Sequence, residues 1–131
     1  MAKPYHLSRT VKLPFAAAID ATIAALGRHG FGVLTDIDVQ ATLRKKLDVS
    51  FRPYRILGAC NPGMAYKALL AEDKIGTMLP CNVVVQELAE GMVEVSAVDP
   101  VASMQAVENA TLAEAAVTVR EMLQRVIDDI S

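Results

Sequence analysis

With 131 residues the chain has the length of one ordinary domain, and a balance of 53% apolar against 21% charged residues belongs to a globular chain and not to a disordered one. A formal net charge of −2, with no extended basic run, lacks the electrostatic footprint of a duplex-binding protein, so nucleic acid is not an expected partner. The apolar surplus in so short a chain predicts a face covered by a second copy, a homodimer.

Met1-Ala2-Lys3-Pro4 leads straight into an alternating segment, without the continuous apolar stretch of a signal peptide. The longest apolar stretch, Phe15 to Leu26, is interrupted by Asp20 and two threonines, too short and too polar to span a bilayer. The expected setting is the reducing cytoplasm, where two cysteines are thiols or ligands and not a structural disulfide.

Tyr5 to Lys12 alternates with the period of a half-buried strand, Tyr5, Leu7, Arg9 and Val11 on one side. Pro14 suits the first turn of a helix whose apolar residues Phe15, Ile19, Ile23 and Leu26 recur at three and four, until Gly27 to Gly30 stop it. Phe31 to Ile37 reads as a second strand. Asp38 is placed to cap a short helix with Val39, Leu43 and Leu47 as its narrow apolar face.

Tyr54 to Cys60 is strand-like, and Asn61-Pro62 has the order of an N-cap followed by the first helical residue, with Ala65, Ala68 and Leu69 continuing the helix to about Asp73. Val83-Val84-Val85 suits a central strand, Ala89-Glu90-Gly91 a turn, and Met92 to Asp99 the returning strand of a hairpin. Gln86, Glu94 and Ser96 alternate on that hairpin, which predicts a sheet face not fully covered by helices. Thr111 and Glu114 have capping-box spacing, and Leu112, Ala115, Ala116, Val119, Met122, Leu123, Val126 and Ile127 trace one face of a long C-terminal helix.

Neither linker nor repeat divides residues 1–131, so a single domain is expected. The final hairpin has no crossover helix, which argues against a doubly wound parallel sheet. The order predicts a two-layer α+β domain, β-α-β(4)-α, with a mainly antiparallel sheet and both long helices on one face. If the strand ending at Cys60 pairs antiparallel with the one starting at Cys81, both cysteines share a rim.

Gly30-Phe31-Gly32-Val33-Leu34 with Ile37-Asp38, then Pro53-Tyr54, Gly58, Cys60, Pro62, Ala65, Ala68 and Leu69, then Pro80-Cys81 with Val83 and Val85, resemble the domain of unknown function 302 family over nearly the whole chain. That resemblance implies a domain of TATA-binding-protein-like topology and a homodimer, and it implies no agreed activity. Sulfur species and haem join the ligands to be considered on the same ground.

Two cysteines, each followed by asparagine, form the candidate site: Cys60, Asn61, Cys81 and Asn82. Cys60 lies just before an N-cap, where free N–H groups and the helix dipole favour an anion; cysteine also fills small buried spaces at strand ends. Asn61 and Asn82 can donate amide hydrogen bonds to a ligand or satisfy local backbone. A closed zinc site needs four ligands, and neither a Cys-x-x-Cys nor clustered histidines are present, so no metal site is expected within one chain. His6 and His29 read as solvated, Met78, Met92 and Met104 as gap-fillers more than haem ligands, and Asp36 and Asp38 as turn and cap.

Three functions follow. The first is a cytoplasmic binding module for a small ligand, whether a thiol or other sulfur species, a metal or haem, at the two-cysteine rim. The second is a thiol redox or sulfur-transfer enzyme with Cys60 as nucleophile and Cys81 as resolving thiol. The third is a dimeric structural or interaction domain whose cysteines only pack. The residues specify no cofactor.

Overall fold

The computed structural model describes residues 4–131, so the reading of Met1 to Lys3 lies outside the described residues. Five strands and five helices follow in the order β1 (His6–Val11), α1 (Phe15–Arg28), β2 (Gly32–Asp38), α2 (Val39–Leu47), β3 (Tyr54–Cys60), α3 (Pro62–Ala71), β4 (Cys81–Ala89), β5 (Met92–Val98), α4 (Pro100–Ser103) and α5 (Ala110–Asp128). A 3-10 turn over Asp73–Met78 joins α3 to β4. The strands form one sheet in the order β1-β5-β4-β3-β2, and every neighbouring pair is antiparallel. This is the β-α-β(4)-α arrangement that the missing crossover predicted.

Strand alternation decides which side chains meet the helices. Leu57 on β3, Val83 and Val85 on β4, and Val93, Val95 and Ala97 on β5 are fully or almost fully buried. They pack with Ile19 and Leu26 of α1 and with Leu123, Val126 and Ile127 of α5, so both long helices cover one face. Each such side chain contributes roughly 1.5–3 kcal/mol by leaving water. The alternates form the other face: Ser8 Oγ donates to Ser96 Oγ at 2.7 Å and Gln86 Nε2 donates to Glu94 Oε1 at 3.3 Å. Among the described residues, no helix covers that face.

Arg9 shares the helix side of β1 with Leu7 and Val11, yet it is not a core residue. Its Nη1 donates to the carbonyls of Ile127, Asp128 and Ile130 at 3.3, 3.1 and 2.7 Å. Ile127 and Asp128 end α5 and Ile130 lies just beyond it, so the cation satisfies acceptors that the helix leaves open.

One expectation needs correction, and one element is held differently from the others. The narrow apolar face of α2 stays out of the core: none of its residues is buried, and Leu47 is 66% exposed. That helix is held by polar ends instead, Asp38 accepting from the Ala41 N–H at 2.9 Å and Gln40 Nε2 donating to the Phe51 carbonyl at 3.0 Å. Nor does Thr111 cap α5. Asn109 does, its Oδ1 accepting from the N–H groups of Thr111 and Leu112 at 3.0 and 3.2 Å while its Nδ2 donates to the Ala71 carbonyl at 3.0 Å. A threonine hydroxyl cannot supply this combination of a carbonyl oxygen and a separate NH2 donor.

The same side chain thus starts α5 and ties it to the end of α3. Replacing it tests that tie: Asn109→Ala is expected to lower stability by about 2 kcal/mol, and Asn109→Asp, which keeps the cap and loses the donor, by about half as much. Denaturant midpoints compared at constant m-value check both. Equal losses for the two variants would refute any contribution from the cap.

Candidate functional site

Beyond the end of the sheet α3 and the 3-10 turn lean on the N-terminal half of α5 and make a second small core, Ala68, Ile75 and Leu112 with Leu79, Met104 and Val107 around them. The main core ends at Ala59 and Cys81, the last facing pair of β3 and β4. Between the two cores the packing is incomplete and leaves a cavity of about 300 Å³.

Each wall has a local cause. Asn61 turns the chain out of β3 into α3, its Oδ1 accepting from the Met64 N–H at 3.1 Å and its Nδ2 donating to the Gly30 carbonyl at 3.0 Å. Pro62 then occupies the first turn, where a missing N–H costs nothing. This sets Met64, Ala65 and Leu69 of α3 along one wall. Leu112, Ala116 and Val119 of α5 form the facing wall, and Pro100 and Met104 close the end by α4. Leu79 and Pro80, joined by a cis peptide, bring the chain back to Cys81.

The α4 wall depends on one ion pair. Asp99 is buried; its Oδ1 accepts from the Val101 N–H at 3.0 Å as the cap of α4, and its Oδ2 accepts from Arg120 Nε of α5 at 3.0 Å. This fixes α4 against α5 and holds Pro100 and Met104 over the cavity.

Three of the four candidate residues come together here. Cys60, half-buried, and Cys81, buried, both line the cavity with Asn61. Register explains the pairing: Ala59 faces Cys81, so Cys60 is one residue past that pair, its Cα about 6 Å from that of Cys81. Asn82 does not join them. It is exposed, opposite Gly58 on the uncovered face of the sheet. Both ends of the Asn61 amide are engaged with backbone, so that side chain shapes the wall.

Electrostatically the cavity is nearly blank, with no charged side chain in its wall. Burial, and then the proximity of Cys60, push the Cys81 thiol from its ordinary 9.0 to about 11. At neutral pH Cys81 is therefore a protonated thiol. Among the described residues, no three His, Cys, Asp or Glu side chains are grouped to hold a metal ion.

The sequence pattern places the cysteines at a shared rim, whereas Ala65, Ala68, Ala116 and Val119 read from it as ordinary helix faces. The signal was their size. Small residues recur where α3 and α5 face one another, and small residues are what leave space there. Leu34 and Leu69 also line the cavity while remaining 66% and 43% exposed, which places its mouth between β2 and α3.

Among known families, the one described as "Domain of unknown function DUF302" matches residues 7–130. A solved structure, "Crystal structure of uncharacterized conserved protein DUF302 from Bacillus stearothermophilus", is similar with a TM-score of 0.90 at 26% sequence identity, over 98% of this chain and 100% of that chain. No curated protein matches this one.

Proposed function

We propose that this chain, which belongs to the DUF302 family, is a binding module for one small, neutral, largely apolar ligand held between α3, α5 and the ends of β3 and β4. The observation that carries this reading is the uncharged cavity of about 300 Å³ with an apolar mouth. An apolar cavity of about 150 Å³ suffices for benzene, so twice that space suits two fused rings or a chain of about ten carbons, with room for a further apolar substituent at the open mouth. Water gains little there, because the wall offers almost no polar partner.

This selects among the ligands considered from the sequence. A free metal ion would find only two thiols and thioethers in a space far larger than an ion. Haem would bring carboxylates to a wall without a basic side chain. A small organic molecule, including one that carries sulfur, matches both the size and the absence of charge. Two further parts of the reading are a reducing cytoplasmic setting, which disfavours a structural disulfide between the two cysteines, and a second copy over the uncovered sheet face, where Ile56 and Val84 lie among the polar alternates.

Binding of the neutral fluorophore N-phenyl-1-naphthylamine tests the proposal. One site per chain with Kd of about 1 μM is expected. Ala65→Leu, which places extra carbon in the cavity, should weaken it about tenfold or more and leave thermal stability nearly unchanged, since the new atoms enter empty space. Absence of binding to the wild type, or equal binding by Ala65→Leu, would overturn it.

A further inference from the structure

The two cysteines of the cavity are not equivalent. Cys60 is the last residue of β3 and is half-buried, within reach of a solute at the mouth. Cys81 is 91% buried, lines the same space, and its thiol has no hydrogen-bond partner among the described residues. An unpartnered thiol facing an apolar void beside an accessible one is an arrangement for receiving sulfur chemistry from the mouth, with the buried thiol out of contact with water. Register also matters: Ala59, not Cys60, is the ladder partner of Cys81, so the two cysteines are offset by one residue along the rim.

We propose that Cys60 carries the ligand covalently, as a mixed disulfide with a small thiol whose apolar substituent occupies the cavity. This rests on the reading of the cavity as a site for an apolar ligand. The reaction partner is a low-molecular-weight disulfide, R–S–S–R, with R aliphatic or aromatic. The Cys60 thiolate attacks one sulfur; the Cys60–S–S–R bond forms as the R–S–S–R bond breaks. The leaving R–S⁻ takes the electron pair and then a proton, so a protein thiol and R–S–S–R become a protein mixed disulfide and R–SH. Cys60 is oxidised and the departing sulfur is reduced.

A resolving cysteine would normally attack such an adduct, expel R–SH and leave an internal disulfide. Cys81 is poorly placed for that step. It is buried and protonated at neutral pH, so it offers almost no attacking thiolate. The adduct therefore persists until an external thiol releases it. The pair works as a carrier with a silent partner and not as a redox couple.

Mass spectrometry of the intact chain after exposure to dibutyl disulfide or to hydroxyethyl disulfide tests this. The expected result is one butylthio group per chain, on Cys60, formed about tenfold faster than the hydroxyethyl adduct because the alkyl chain leaves water as the bond forms. Cys81→Ala should keep the adduct and Cys60→Ser should lose it. Conversion of the adduct to a chain lighter by two hydrogens, a Cys60–Cys81 disulfide, would overturn the proposal in favour of a redox pair. Equal rates with both disulfides would also overturn it, since Cys60 would then be only an exposed thiol. Binding of N-phenyl-1-naphthylamine to Cys60→Ser separates the two readings: retained binding with no adduct on the wild type refutes covalent carriage and leaves the cavity reading standing, whereas loss of both refutes both.

Discussion

Gly58→Ala is expected to destabilise the fold by about 3 kcal/mol, since no other glycine of this chain leaves so little room for a methyl group. Gly58 sits in the middle of β3, with β2 on one side and β4 on the other, facing Thr35 and Asn82. A Cβ at this position would overlap Thr35 Oγ1 and come within 2.7 Å of Pro80 Cγ. Neither neighbour can retreat cheaply. Thr35 is held in the β2–β3 ladder just past a register shift, and Pro80 is a rigid ring that lies across β3 and leads directly into Cys81.

The consequence reaches the cavity, because Pro80 lines it. A displaced Pro80 moves the start of β4 and the Cys81 thiol with it. Gly58→Ala should therefore lose binding of N-phenyl-1-naphthylamine as well as stability. Thr35→Ala in the same chain removes the hydroxyl from the overlap and should recover part of the loss, a coupling of about 1 kcal/mol between sites that face each other across the ladder. Denaturant unfolding of the two single variants and the double variant closes the cycle. A Gly58→Ala protein as stable as the wild type, or a cycle without coupling, would refute the steric account.

Gly58 also marks where reading the sequence stopped. Composition and the two periods, near four in Phe15–Leu26 and two in Met92–Asp99, are local signals, and they were enough for the helices, the strands and the antiparallel order. The N-cap roles of Asp38 and Asn61 were legible for the same reason: each acceptor serves an N–H three residues on. Asn109 was not, because half of its role is a hydrogen bond to Ala71, 38 residues earlier. The cavity was hidden more deeply. It is made by what α3, α4 and α5 fail to fill between them, and an unfilled space has no residue of its own to read. The shared rim of Cys60 and Cys81 followed from strand register alone, whereas the difference in their burial depends on tertiary packing, which places Cys81 in the main core and leaves Cys60 at its edge.

That difference gives the second large effect. With its thiol pushed up to about 11, Cys81 has about a hundredfold less thiolate at neutral pH than an ordinary cysteine. Thiolate is the reacting form. In a Cys60→Ser chain, where Cys81 is the one remaining cysteine, iodoacetamide at pH 7.5 should therefore alkylate the folded protein more slowly than the unfolded one by a factor approaching a hundred. Part of the shift comes from Cys60 itself, so this variant should react somewhat faster than Cys81 does in the wild type.

The same shift makes stability depend on pH, and its sign is fixed. The folded state holds the Cys81 proton more tightly than the unfolded state, so below about pH 9 both states are protonated and the contribution is fully present. Between about pH 9 and pH 11 the unfolded chain gives up its proton first, and stability falls as pH rises, by about 2 kcal/mol in all. Other groups titrate in that range, which makes Cys81→Ala the necessary reference: its stability should fall less steeply across the same window. Parallel curves for the two proteins, or a folded-state alkylation rate equal to that of the unfolded chain, would show that Cys81 is open to water and would remove the asymmetry on which covalent carriage by Cys60 depends.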